Sequence, residues 1–408
     1  MCRGEFGHPV LLLVVVAGQI AAGPRVVKVP GQAEVGTVEI HGLAAGEFDR
    51  VKWEAGALNW VADVRGPMLS PRRSGVFRNI YAPSAVEVDG GWRLFYGAWD
   101  GVNSPNDRIY SLFTRDFVDL EDRRIEIEPG KLIHACNVNA IRGREGGFDL
   151  VATLYPDARD RNKPAFFRLA EERRGAITAE VGDIIDIKGY PSYDNADVNG
   201  MNVLLYEDGA YRLYFGDFKA YTHVQRASST DGKTWRYDGA VLESRHMAND
   251  IRKFEKDGQK CYLMALHANG NRLWYAMSND GMKFEKEQEL AGNLGDGDRY
   301  IVAIGWVTKG DRVLGFLYGA GAVPSLDRNR IYARWLQKKV IVADGDGKEH
   351  MATGAMGPDR QILSLGGAKE IMGRMRVLAE DGKTVLGEGL SARLVPGEVY
   401  RIEWDEQR

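Results

Sequence analysis

Residues 82–97 read Ala-Pro-Ser-Ala-Val-Glu-Val-Asp-Gly-Gly-Trp-Arg-Leu-Phe-Tyr-Gly, and residues 202–216 read Asn-Val-Leu-Leu-Tyr-Glu-Asp-Gly-Ala-Tyr-Arg-Leu-Tyr-Phe-Gly. In both, apolar residues alternate on either side of an Asp-Gly turn, the pattern of a half-buried β-hairpin. Looser copies of the phrase begin near Val138, Asp250 and Ile301, which makes five along the chain. Each copy is followed by a third apolar run: Arg108–Leu112, Ala165–Leu169, Val224–Ala227, Arg272–Ala276 and Arg330–Arg334. A multistranded unit recurring every ~50 to 60 residues is the size of a propeller blade. The sequence therefore predicts an all-β chain, with a five-bladed β-propeller over residues 63–343. Short N-terminal strands over 24–62 and a small C-terminal β module over 344–408 are expected to form an accessory sheet.

The turns Ser229-Thr-Asp-Gly-Lys-Thr-Trp235 and Ser278-Asn-Asp-Gly-Met-Lys-Phe284 carry this pattern into a fourth strand. They resemble the Asp box of sialidases and are read as structural. Asp accepts turn amides, Gly takes positive φ, and the aromatic residue fills the space between blades.

Composition excludes several function classes. Across 408 residues, Lys+Arg 54 against Asp+Glu 57 leaves a net charge of −3, so no basic field invites nucleic acid. Forty-four per cent hydrophobic content excludes a wholly disordered chain, and 49 glycines suit a turn-rich β architecture. Arg3, the apolar run Val10–Ala17 and the small residues Ala21, Ala22 and Gly23 read as a secretory signal peptide over residues 1–23. The expected location is secreted or periplasmic, with no integral membrane segment after cleavage. Of the three cysteines, Cys136 and Cys261 lie beyond that segment and are expected to be buried free thiols. No Cys/His spacing suggests a metal site.

In a propeller blade the innermost strand starts, and the second strand ends, on one shared face. Before the innermost strands lie Arg78-Asn79, His134 to Asn137, Asp194 to Asp197, Asn249-Asp250 and Asp296 to Arg299. After the second strands lie Trp99-Asp100, Tyr155 to Asp157, Asp217-Phe218-Lys219 and His267. Carboxylates, imidazoles and guanidinium groups beside aromatics at these places point to a polar site at the mouth of the axis. Converging carboxylates raise one another's pKa and a nearby Arg lowers it, which separates an acid from a base.

The stretch Gly66-Pro-Met-Leu-Ser-Pro71, Phe77-Arg-Asn-Ile-Tyr-Ala-Pro83, then Gly91-Trp-Arg-Leu-Phe-Tyr96, resembles the opening blade of the five-bladed propeller glycoside hydrolases. These include the arabinanase and xylosidase group of family 43, the invertase group of family 32 and the mannoside phosphorylases of family 130. The resemblance implies an enzyme that hydrolyses a glycan through two or three carboxylates at the axial mouth, and the N-terminal segment adds the expectation that it is exported. It requires no cofactor, although it admits a structural cation in the channel. Where the phosphorylases carry Glu-Asp-Pro-Arg in the second blade, this chain has His134-Ala-Cys-Asn-Val, so phosphorolysis is not implied. On this reading Asp197 and Asp250 form the central pair, with Asp63 and Asp298 as further catalytic candidates. Substrate-binding candidates are Arg78, Asn79, Trp99, His134, Asn137, Asp194, Asp217, His267 and Arg299. Two carboxyls about 5 Å apart would retain anomeric configuration, and a gap of about 6.5–9.5 Å would invert it. A noncatalytic glycan-binding propeller, or a scaffold, is the alternative if these carboxylates prove to be turn caps.

Overall fold

The computed structural model describes residues 24–71, 79–99, 106–171, 175–191, 193–200, 202–324 and 328–404. The expected signal peptide and Arg78 lie outside the described residues.

Five antiparallel sheets follow one another along the chain as blades around an axis. Blade 1 runs from the innermost Ile80–Val88 through Gly91–Ala98 and Arg108–Thr114 to Glu121–Glu128, and Ile177–Thr178 adds a parallel edge strand. Blade 2 has three strands, His134–Arg142, Phe148–Tyr155 and Lys163–Leu169. Blade 3 comprises Val203–Glu207, Ala210–Phe215, His223–Ser229 and Thr234–Glu243, with Asp186–Lys188 added in parallel. Blade 4 comprises Met247–Lys256, Gln259–His267, Arg272–Ser278 and Gln288–Gly292. Blade 5 is Tyr300–Lys309, Arg312–Gly321 and Arg330–Leu336, completed by Trp60–Ala62 from the N-terminal side. Those three residues, expected among the N-terminal strands, instead tie the chain's beginning to its last blade. Lys339–Ala343, expected at the propeller's end, belongs to the eight-stranded accessory sheet with Arg25–Val29, Thr37–His41 and the C-terminal strands.

The propeller core is divided into wedges, one at each blade junction. Fully buried Trp235, Trp306 and Trp335 fill three of them, between blades 2 and 3, 4 and 5, and 5 and 1. The Asp-box-like turns do what their sequence suggests. Asp231 Oδ1 accepts from Lys233 N and Thr234 N at 2.8 Å, Gly232 sits at φ +77, and Trp235 Nε1 returns to Gly232 O. Cys136 and Cys261 are free and buried.

Around the axis, polar side chains of the innermost strands bond to neighbouring blades. Ser84 Oγ accepts from Ala140 N, Asn139 Oδ1 from Leu204 N, and Asn249 Oδ1 from Ile304 N, all within 3.0 Å. Asp250 is fully buried and both its oxygens are used: Oδ1 meets Asn139 Nδ2, Ile251 N and Arg252, while Oδ2 meets Trp306 N at 2.8 Å. Arg252 Nη2 reaches on to Ala85 O in blade 1. This plug closes the axis beneath the face where the blades begin. Gly305 makes the blade 5 to blade 1 contact feasible, since a Cβ there would stand 2.0 Å from Pro83 O.

Candidate functional site

The pocket above the plug receives residues from all five blades and has a volume of about 270 Å³. What aims its walls is a β-bulge near the start of the innermost strand in four blades, at Tyr81/Ser84, Cys136/Asn139, Ala248/Asp250 and Ile301/Ala303. A bulge adds a residue to one strand and turns side chains off the regular pleat. Ala82 and Asn137 occupy the first two bulges with φ of 51° and 52°, a region that non-glycine residues rarely adopt. Above the bulges Asn79, Tyr81, His134, Asn137 and Met247 face the pocket. Below them lie Ser84, Asn139 and Asp250 of the plug.

Asp107, just before the third strand of blade 1, is the one carboxylate lining the pocket among the described residues. Its Oδ2 accepts from Tyr81 OH at 2.8 Å, and its backbone N donates to His134 Nδ1 at 3.1 Å. Burial, then the nearby Asp107 charge, push the Tyr81 hydroxyl well above its ordinary pKa. The His134 ring lies between Trp99 and Tyr155, with centroids 5.9 and 5.1 Å away, and burial lowers its pKa. It is neutral at neutral pH, and because Nδ1 is an acceptor the proton sits on Nε2. Opposite, Asn199 Oδ1 accepts from Gly200 N at 2.6 Å, Tyr155 OH at 2.8 Å and Asn137 Nδ2 at 3.3 Å. Gly200 must be glycine, since its φ is +73 and a Cβ would stand 2.8 Å from the Phe218 ring. Phe218 is 40% exposed and offers an open aromatic face at the rim. His267 is buried at the wall with Nε2 facing Asn269 Oδ1 at 3.0 Å, and desolvation pushes its pKa down to about 4.

Of the sequence-derived candidates, Asn79, Trp99, His134, Asn137 and His267 line this pocket. The four catalytic candidates do not. Asp250 is held in the plug as described. Asp63 takes Arg65 N and Nε on Oδ1, and Arg65 Nη2, Trp335 Nε1 and Gly357 N on Oδ2, which fixes the accessory sheet to blade 5. Asp298 accepts from Leu294 N, Gly295 N and Tyr318 OH, and so caps a single 3-10 turn. Asp197 Oδ1 is bonded by Asn162 N and Nδ2, and burial raises its pKa. It sits behind the wall: its carbonyl accepts from Phe218 N, and Asn199 follows two residues later. Asp217 Oδ1 accepts from Asp197 N and Lys219 N, a turn cap. Asp194 and Arg299 are exposed outside the lining. The reading missed Tyr81, Asp107, Asn199 and Asn269. Asp107 precedes a third strand, outside the strand-one starts and strand-two ends that blade geometry marks in the sequence.

No cluster of three or more His, Cys, Asp or Glu side chains is placed to hold a metal ion among the described residues. No described helix is long and apolar enough to cross a membrane.

No family model and no curated protein matches the chain. Solved structures do. A Bacteroides thetaiotaomicron protein provisionally named a glycosidase is similar over 71% of this chain and 99% of its own, at 14% identity and a TM-score of 0.50. The catalytic domain of a family 62 α-L-arabinofuranosidase from Coprinopsis cinerea matches 69% of this chain and 98% of its own, also at 14% identity and 0.50. A Bacteroides ovatus protein provisionally named a glycoside hydrolase covers 67% and 96%, at 10% identity and 0.50. These likenesses show the five-bladed propeller fold.

Proposed function

We propose that the chain is an exported glycoside hydrolase that takes the end of a glycan into the axial pocket, with Asp107 as the carboxylate at the reacting bond. The observation that carries this reading is the pocket itself: closed below, lined from all five blades, and combining aromatic faces with amides and imidazoles around one carboxylate. Such a mixture suits a sugar, whose ring has apolar faces and hydroxyls at its edge. The names of the similar structures, glycosidase and α-L-arabinofuranosidase, agree with it. Export rests on the sequence of residues 1–23.

Hydrolysis needs a proton donor for the leaving oxygen and a second group that activates water or attacks the anomeric carbon. Asp107, next to Tyr81 and His134, supplies one. For the second group we propose Asp197, which lies behind the wall, where burial raises its pKa and the Asn162 hydrogen bonds oppose that rise. The reaction uses water and no cofactor. The test is release of reducing sugar from arabinan, xylan, mannan, galactan, fructan and sulfated polysaccharides. On the substrate that turns over, Asp107→Asn is expected to lower kcat by about a hundredfold or more with the melting temperature unchanged. Undiminished turnover would remove Asp107 from the chemistry.

A second reading, a noncatalytic glycan-binding propeller, is favoured by one fact: Asp63, Asp250 and Asp298 spend their oxygens on the fold. It predicts glycan binding by the wild-type protein with no turnover on any of these polysaccharides.

A further inference from the structure

Phe218 is the only exposed Phe, Trp or Tyr among the described residues, at 40%. A lone apolar residue on a surface needs no explanation by itself. What sets this one apart is where the fold puts it and how it is held. In the repeated hairpin phrase a closing glycine is followed two places later by an aromatic residue, Gly97 and Trp99 in blade 1, Gly216 and Phe218 in blade 3. Trp99 is buried in the pocket wall beside His134, with ring centroids 5.9 Å apart. Phe218 holds the same place in its own blade but stands exposed at the rim.

Two glycines seat the ring. A Cβ on Gly200 would stand 2.8 and 3.0 Å from Cε2 and Cζ of Phe218 and 3.4 Å from Met247 Sδ, so the far edge of the ring meets the pocket wall where Gly200 and Met247 form it. A Cβ on Gly216 would stand 2.0 Å from the Tyr221 ring, whose centroid lies 6.1 Å from that of Phe218. The turn is pinned from both sides: Phe218 N donates to Asp197 O at 2.9 Å, and Asp217 Oδ1 accepts from Asp197 N and Lys219 N at 3.0 Å. An aromatic ring held in water on so fixed a turn forgoes the gain of burial in the free protein and recovers it when a ligand covers it, with little ordering left to lose. The pocket beside it is closed below and holds about 270 Å³, under the usual range of about 300–1,000 Å³ for ligand pockets, so one sugar fills it and a longer chain continues across the rim. Sugar rings carry C–H groups on their faces, and these stack on an aromatic ring.

We infer that Phe218 is a second sugar subsite: with the end sugar of a glycan in the axial pocket, the next sugar lays an apolar face on the Phe218 ring. This rests on the proposed saccharide reading and makes the substrate a chain of two or more sugars recognised across the reacting bond. The test is calorimetric titration of the whole protein with arabinose, xylose, mannose, galactose and fructose, each beside the disaccharide cut from arabinan, xylan, mannan, galactan or fructan. It is run in wild type and in Asp107→Asn, so that cleavage does not blur the affinities. In at least one pair the disaccharide binds about tenfold more tightly than its monosaccharide. In that pair Phe218→Trp keeps the ratio, while Phe218→Ala, and Phe218→Leu, which retains apolar bulk without a flat face, bring it toward one. A disaccharide no tighter than its monosaccharide in every pair overturns the subsite and leaves the axial saccharide site standing. So does a ratio that Phe218→Ala and Phe218→Leu leave intact in variants that melt like wild type. Binding of none of the sugars overturns the saccharide site and the subsite together.

Discussion

The pocket and the plug beneath it both draw amides and carboxylates toward the axis, the plug from the innermost strands and the pocket from their starts and the loops beside them, and the bulges separate one from the other. In the plug, Asp250 receives a backbone amide from blade 5, an amide from blade 2 and the Arg252 guanidinium. In the pocket, Asn79 and Asn199 use one end of the amide on the protein and leave the other open. Whether an axial polar group holds the fold or meets a ligand is thus decided by how many of its hydrogen bonds the neighbouring blades have consumed. Closeness to the axis does not decide it.

The largest test of that division is Asp250→Ala. Removing the fully buried carboxylate strands Trp306 N and takes the Asp250 partner from Arg252, and costs about 3–5 kcal/mol of unfolding free energy. Chemical denaturation measures the loss, while sugar affinity per folded molecule stays unchanged. If the variant were as stable as wild type yet inactive, Asp250 would be catalytic and the division would fall.

His267 sits at the border of the two layers and sharpens the comparison through pH. Its folded pKa of about 4 lies below the ordinary 6.5, so the unfolded chain binds this proton more readily than the folded one. Its contribution is complete above pH 6.5, declines as the pH falls toward 4, and is lost below that value. The span is on the order of 3 kcal/mol for so buried a ring. Denaturation midpoints taken between pH 7 and 4 should fall more steeply for wild type than for His267→Gln. Parallel curves would show that the ring is protonated without cost.

These layers also mark how far the sequence could be read. The hairpin phrases reveal the blades because alternation and Asp-Gly turns are local signals, legible within some sixteen residues such as 82–97. The short closure of blade 5 by Trp60–Ala62 carries no such signal, since it pairs with Arg334–Leu336 at the far end of the propeller. Five pocket residues, including Asn79 and His134, were found from blade geometry alone. The carboxylates misled for a physical reason. Asp63 meets Gly357 N and Asp250 meets Trp306 N, partners 294 and 56 residues away, which only the tertiary packing of separate sheets brings together. Asp107 escaped because it stands before a third strand, where the inner-strand argument gives no reason to look.

The smallest effect expected concerns a carboxylate outside both layers. Asp231 is exposed, yet its Oδ1 accepts from Lys233 N and Thr234 N at 2.8 Å and its pKa is lowered to about 2 by those amides. It is as fully used as Asp250 but stays in water, so losing it leaves turn amides that solvent can satisfy. Asp231→Ala should cost about 1 kcal/mol, as for loss of a capping side chain, and leave sugar binding unchanged. Because the pKa is depressed, the contribution is present above the ordinary pKa of 3.8 and fades as the pH falls through about 2. A thermal shift between wild type and Asp231→Ala that persists at pH 7 and closes below pH 2 is the expected result. If the cost approached that of Asp250→Ala, burial would not be what separates the two. The number of hydrogen bonds alone would then set the energy, and the pocket's half-used amides should be no easier to substitute than the plug's.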